Sequence, residues 1–378
     1  MIATKLKIRE YLNYMSFLKF LSMIIIIKFH LFHWKKKPIY YGQRMCEFLF
    51  VSSGFLVGYN HYNKPMPCTL EQSFNYTYKS FRNFYPLEII NLIMFILFEN
   101  KINKINITDI EVIISNILMI KSWSPYKFVH YSFNGVSWFL SSLLFCYFMT
   151  PFLLFGINNI KNAILLFIIF AFTRILIEEF INLGGFNIFF INFHVNPFIR
   201  CIEFYLGMLT IPLFFKIKSF LDINRNNFYF KILFTLIQII LPTVLYFLII
   251  KFTHIKYRVY FIFTFIIFTF VIGFDYGYLS ELFSKKIIKK IISYQMEIYL
   301  FQNSATILIM KIMKFNKLKF SFDDNLEFFI KLINIFIFAV LYKELFKERL
   351  AKIIDKIFAL IKKLFNSKND NYYKQIKN

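Results

Sequence analysis

The chain has 378 residues, of which 58% are hydrophobic and 17% charged, and Phe alone occurs 55 times. Soluble domains carry about 45–50% apolar and about 25% charged residues. A water-soluble fold and a disordered chain are therefore excluded, and 4 Cys are too few for a disulfide scaffold. A formal charge of +24 raises the question of nucleic acid, but Lys and Arg sit mostly between and after apolar runs. Topology signals of a membrane protein belong there, and no nucleic-acid partner is expected.

Crossing a bilayer takes about 20 apolar residues. Taken in chain order, the apolar runs predict about ten spans, at 16–34, 44–60, 83–99, 136–157, 162–182, 198–216, 229–251, 257–276, 290–312 and 326–346. Helices are expected, because lipid has no partner for a free backbone group and barrel strands would alternate apolar with polar. The expected fold class is thus all-α, a polytopic transmembrane helix bundle. Residues 106–120 are too short and polar to span and read as an interfacial or re-entrant piece of a long loop. With the N-terminus inside, the inner segments hold more Lys and Arg than the outer ones, the tail making most of the difference. Both termini are accordingly expected in the cytoplasm.

Two domains follow: 1–346 as the transmembrane domain and 347–378 as a basic amphipathic cytoplasmic tail. The tail reads either as a helix on an anionic leaflet or as a solvated end. Lys19 and Lys28 interrupt the first apolar run, and no small-x-small site follows it, so a cleavable signal is not expected. Cys46, Cys68, Cys146 and Cys201 have no metal spacing and read as ordinary buried thiols. No internal repeat of the kind that marks many transporters is evident.

Charges and imidazoles within spans are costly and mark function by default. They are Lys19, Lys28, His30, Glu47, Glu88, Arg174, Arg200, Glu203 and Glu297. Alternating span direction brings His30, Glu47, Trp138, Arg200 and Glu203 to one layer near the outer side. An imidazole ordinarily titrates near about 6.5, which suits a general base, and Glu47 or Glu203 is placed to orient it. A histidine packed at the membrane interface is the competing reading of His30. His33 shares its helix face, but no third ligand stands at metal spacing, and no metal is expected. Arg200 and Glu203, three apart, also suit a plain stabilising pair. Lys79 and Arg82, three apart before Phe84-Tyr85-Pro86, suit phosphates or act as topology signals. Glycine-rich phosphate loops, HExxH and GxSxG are absent.

Phe17-Leu18-Lys19 through Phe29-His30 resembles the first helix of the acyltransferase 3 family of integral-membrane acyltransferases, with a basic residue eleven positions before a Phe-His. CEFLFVSSGFLVGY (46–59) resembles that family's acidic–Phe–Phe–x–x–Ser–Gly–Phe helix through Glu47, Ser53, Gly54 and Phe55. The stretch entered at Trp138 resembles its Trp-x-Leu/Ser helix. RCIEFYLGML (200–209) resembles Arg-x-x-Glu-Phe-x-x-Gly, and SYQMEIYLFQ (293–302) resembles Ser-Tyr-x-x-Tyr-Leu. The five motifs stand in the family's order.

The resemblance implies an acyl-CoA donor on the cytoplasmic side and a sugar hydroxyl as acceptor on the other. It implies catalysis by His30 with Glu47 and Glu203, and donor binding by Lys79 and Arg82. Lys19, Ser53, Trp138, Arg200, Tyr299 and Gln302 would support substrate or structure. The expected protein is a multi-pass O-acetyltransferase of a bacterial inner membrane. Its partners would be acetyl-CoA, a surface polysaccharide or its lipid-linked precursor, and the bilayer. Three positions depart from the family pattern: Lys19 replaces the usual arginine, Lys79-Ser80-Phe81-Arg82 lies one residue further from Pro86, and Gln302 replaces a histidine. Gln302 keeps hydrogen bonding and loses proton transfer. A glycan exporter without acyl chemistry is the alternative, and the missing repeats count against it.

Overall fold

In a chain this apolar each segment satisfies its own backbone, which favours helices. The computed structural model describes residues 12–33, 41–64, 66–98, 107–182, 194–252, 258–315 and 324–360. Among these the regular elements are helical and no strand occurs. In order they are α1 (Asn13–His33), α2 (Tyr41–His61), α3 (Leu70–Phe98), α4 (Ile107–Ile117), α5 (Lys127–His130), α6 (Trp138–Leu153), α7 (Ile160–Asn182) and α8 (Pro197–Leu209). There follow α9 (Ile211–Leu221), α10 (Phe228–Lys251), α11 (Arg258–Ile272), α12 (Tyr278–Phe283), α13 (Lys286–Ile292), α14 (Gln295–Phe315) and α15 (Asp324–Leu341).

The predicted apolar segments overlap these helices, with 198–216 divided between α8 and α9 and 290–312 between α13 and α14. Among the described residues five stretches are long and apolar enough to cross a membrane: Gly135–Ile157, Ile160–Phe180, Pro197–Asn224, Phe228–Lys251 and Asn325–Leu360. The protein is therefore a multi-pass membrane protein. α1, α2, α3 and α14 are as long, but they carry charges such as Lys19, Arg44, Glu47, Glu88 and Glu297 within them. α11 is shorter, at 15 residues.

The charged helices form the middle of the bundle. α2 lies along α8 as the closest pair, with α1 and α11 against α2 and α6 and α7 against α8. α7 and α10 present apolar side chains outward, among them Leu165, Ile168, Phe172, Ile240 and Phe247. Such a surface suits lipid and not water.

The α2–α8 contact is backbone on backbone. A Cβ on Gly54 would stand 1.7 Å from the Phe204 carbonyl oxygen, and one on Gly207 would stand 2.1 Å from that of Val51. Only glycine permits so close an approach, the small-residue solution to helix packing in lipid. Glu47 lies two turns before Gly54 and Glu203 one turn before Gly207, so the crossing sets the separation of the two carboxylates.

Two further devices position the functional helices. Asp275, itself at φ 58°, accepts from the first amides of α1, Asn13 at 2.9 Å and Tyr14 at 3.0 Å. It satisfies orphan N–H groups where the helix dipole favours negative charge. At the far end of the chain the helix does not stop at Leu341. It continues through a π-helical turn, Tyr342–Phe346, and on to Leu360. The first part of the predicted tail is thus a continuation of the last span, and residues 361–378 lie outside the described ones. Cys46, Cys146 and Cys201 are buried free thiols, whereas Cys68 is exposed because it sits in the connection before α3.

Candidate active site

The middle helices assemble a buried ionic layer. Arg44, three residues before Glu47 on α2, donates to both its oxygens at 3.1 and 3.2 Å. Arg258, the first residue of α11, donates to the same carboxylate at 3.0 Å. Arg200 donates from Nη1 to the Glu203 carboxylate on α8. Arg174 on α7 stands 3.5 Å from Glu203 and donates to Glu178 at 2.8 Å. Four guanidiniums thus meet three carboxylates in a layer where each of these side chains is at least about nine-tenths buried. Arg44 also lies over the Phe261 ring and Arg200 over the Phe50 ring, at 5.1 and 5.6 Å. Breaking a buried pair from one side costs about 3–5 kcal/mol, so the layer is held rigidly.

Two imidazoles border it, and both are half-buried where the surrounding charges are buried. His30 sits on α1 edge-on to Phe29 at 5.1 Å. His194 sits in the turn before α8, its ring 4.7 Å from Trp138. Arg200 grips His194 twice, donating from Nε to its carbonyl oxygen at 2.8 Å and from Nη2 to its Nδ1 at 3.2 Å. Burial, then the charges of Arg200, Arg258, Arg44 and His30, hold the His194 imidazole well below the ordinary protonation range. His30 is thereby within electrostatic reach of His194.

The predicted residues fall into three groups. His30, Glu47, Trp138, Arg200 and Glu203 belong to this layer or border it. Within it the two carboxylates are each engaged by two arginines, and Trp138 packs on an imidazole. Lys19 and Ser53 meet elsewhere, with Lys19 Nζ donating to Ser53 Oγ at 2.9 Å beside the Gly54 crossing. That bond ties α1 to α2 eleven residues, about 16 Å of helix, before His30.

Tyr299 and Gln302 belong to a second buried network, where α14 and α3 meet the loop before α6. Tyr299 donates to the Val136 carbonyl at 2.9 Å, and Gln302 donates back to the Tyr299 carbonyl at 2.8 Å. Asn134 donates to Glu88 at 3.1 Å and to the Leu300 carbonyl at 3.2 Å. Lys121, one residue past the 106–120 segment predicted to be interfacial or re-entrant, is buried. It donates to Asn116, to the Ser132 carbonyl and to the Asn134 carbonyl at 3.0, 3.1 and 2.8 Å. Burial pushes its amine down to about 8, against the opposing pull of Glu88.

Lys79 and Arg82 form the third group, on α3. Lys79 is exposed. Arg82 donates from Nε to Asp355 at 2.8 and 2.9 Å, and Glu348 stands 3.8 Å away. Tyr78 donates to the same Asp355 at 2.6 Å, and Phe358 packs on Tyr78 and Phe81. The helical extension of α15 thus covers one of the two predicted phosphate ligands. The His33 side chain lies outside the described residues.

Sequence reasoning missed Arg44, Glu178, His194 and Arg258. One signal was available: Arg44-Met45-Cys46-Glu47-Phe48 and Arg200-Cys201-Ile202-Glu203-Phe204 share the pattern Arg-x-x-Glu-Phe, each ahead of its crossing glycine.

Against the family models, residues 12–344 match the one described as an acyltransferase domain, Acyl_transf_3. The chain belongs to the acyltransferase 3 family. Membership makes it a membrane acyltransferase, and the match covers the helices that build all three polar groups except the extension beyond Glu344. Comparison with curated proteins and with solved structures finds no match.

Proposed function

We propose that this chain is an O-acyltransferase of a bacterial inner membrane, with about ten spans and both termini cytoplasmic. It moves an acyl group, acetyl in the first instance, from cytoplasmic acyl-CoA to a hydroxyl of a surface polysaccharide or its lipid-linked precursor. The observation that carries this reading is the gathering of His30 with Glu47, Trp138, Arg200 and Glu203, from four separate helices, in one layer of a family acyltransferase. An imidazole beside a fixed field of charge is what proton abstraction from a hydroxyl needs.

The phosphates of the donor stay at the cytoplasmic ends of the helices, with Lys79 and Arg82 as their cations. Asp355 and the donor then compete for Arg82. The slender pantetheine arm carries the thioester towards the outer half. There His30 takes the proton from the acceptor hydroxyl, the oxygen attacks the thioester carbonyl carbon, the carbon–sulfur bond breaks, and the thiolate leaves with the proton returned by His30. Glu47 and Glu203 act by holding the arginines in place.

A strain lacking the gene, complemented with wild type or His30→Gln, tests this directly. Mass spectrometry of surface glycans should show O-acyl groups with wild type and none with His30→Gln inserted at equal level. Retained acylation with the variant overturns His30 as the base. Unchanged glycans in the deletion strain overturn the function.

A further inference from the structure

An arginine can donate hydrogen bonds but never accept one. Its contact with His194 therefore settles where the imidazole proton sits. Arg200 Nη2 donates to Nδ1 at 3.2 Å, so Nδ1 presents its lone pair and Nε2 carries the hydrogen. A proton on Nδ1 would face the guanidinium, with Arg44, Arg258 and His30 adding like charge from α2, α11 and α1. The ring is held on every side that matters. Arg200 Nε grips the His194 carbonyl, Trp138 packs on the ring, and Ser142 donates to the next carbonyl, Val195, at 2.7 Å. Asn196 then caps α8 by accepting from the Phe198 and Ile199 amides at 3.0 and 3.3 Å. With so much of its surroundings engaged, Nε2 has no hydrogen-bond partner among the described residues. The side chain is also half-exposed beside His30.

We infer that His194 is a second catalytic residue, a neutral imidazole whose Nε2–H binds the acyl carbonyl oxygen as negative charge builds on it. The inference rests on the proposed acyl transfer. In that step the acceptor oxygen bonds to the thioester carbon and the carbonyl electron pair moves onto oxygen. Nε2–H hydrogen-bonds that oxygen without giving up its proton. Collapse restores the carbonyl and expels the CoA thiolate, which takes the proton that His30 removed from the hydroxyl. Two histidines thus divide the work: His30 moves the proton, and His194, locked by Arg200, stabilises the oxyanion.

Two measurements test it. Permeabilised membrane vesicles from the host, supplied with labelled acetyl-CoA and their endogenous glycan, report transfer for wild type, His194→Phe and His194→Gln. His194→Phe keeps the tilted ring contact with Trp138 and loses the donor, so kcat should fall about 10²–10³-fold with KM for acetyl-CoA unchanged. His194→Gln, which retains an N–H, should recover at least tenfold of that loss, and the pH dependence should keep the same limb in both variants. Equal losses in the two variants, a changed KM, a vanished limb or undiminished activity each overturn the assignment. The second measurement needs no turnover: nitrogen NMR of histidine-labelled protein in nanodiscs, the His194 signal assigned by its loss in His194→Phe. A neutral ring protonated at Nε2 from pH 5 to 8 is expected. A proton on Nδ1, or titration within that range, overturns the inference. Wild-type vesicles that transfer no acetyl group count against the proposed function, while the NMR result still decides the tautomer.

Discussion

Replacing Gly54 by alanine places a methyl group 1.7 Å from the Phe204 carbonyl oxygen. A carbon–oxygen contact needs about 3.3 Å, so α2 and α8 must part by roughly 1.6 Å at their crossing. Both atoms belong to backbone, and no rotamer change relieves the overlap. Overpacking of this kind costs about 1–3 kcal/mol, and the upper end applies because two helices must move as bodies. Function should suffer more than stability. Glu47 and Glu203 sit within two turns of the crossing, and a misplacement of about 1 Å in a reacting constellation costs on the order of a hundredfold in rate. Thermal unfolding in nanodiscs, followed by dye labelling of the buried thiols Cys46, Cys146 and Cys201, reads the first effect, and acyl transfer in vesicles reads the second. Gly135→Ala is the control, since a Cβ there meets nothing closer than Tyr131 at 3.8 Å. If Gly54→Ala labels and turns over like that control, the crossing does not govern the site.

Arg258→Gln leaves Glu47 with Arg44 as its remaining guanidinium and should lower stability by about 3–5 kcal/mol. The double variant with Glu47→Gln should regain part of that loss in the same thiol-labelling assay, and strict additivity would show that the two do not interact. Asp355→Asn removes the carboxylate that holds Arg82 at 2.8 Å. Because this pair is solvent-screened, its effect is small, and the KM for acetyl-CoA should fall by up to about fivefold. An unchanged or raised KM would separate Arg82 from the donor.

The course of the chain was readable because apolar runs of span length admit few structures in lipid. The predicted segments are helical, though 198–216 and 290–312 each divide between two helices. Glu47, Arg174, Arg200 and Glu203 meet in one layer bordered by His30, whereas Glu88 joins the network around Asn134. The partners of those residues were much harder to read. Arg258 lies 211 positions from Glu47, and at the start of a span it looks like any topology signal. His194 stands in a connection, where an imidazole carries no penalty that would draw notice. Glu47 or Glu203 was expected to orient His30; that each faces two arginines was not foreseen, and a buried carboxylate is stabilised most by the nearest full charges. The length of the last helix escaped notice because its extension is basic and amphipathic, a pattern shared by surface helices and solvated ends.

That last helix is a rod. Asn325–Leu360 runs 36 residues, about 54 Å at the α-helical rise, against a hydrocarbon core of about 30 Å. Set upright across such a core, nearly half of it would lie beyond the hydrocarbon. It is pinned at its π-helical turn, where Lys343 donates to the Ser293 carbonyl, Glu344 accepts from Tyr294 and Lys347 donates to Glu297 at 2.7 Å. A force on the projecting end is therefore delivered, about a fulcrum, to the start of α14, one turn from Tyr299 and two from Gln302.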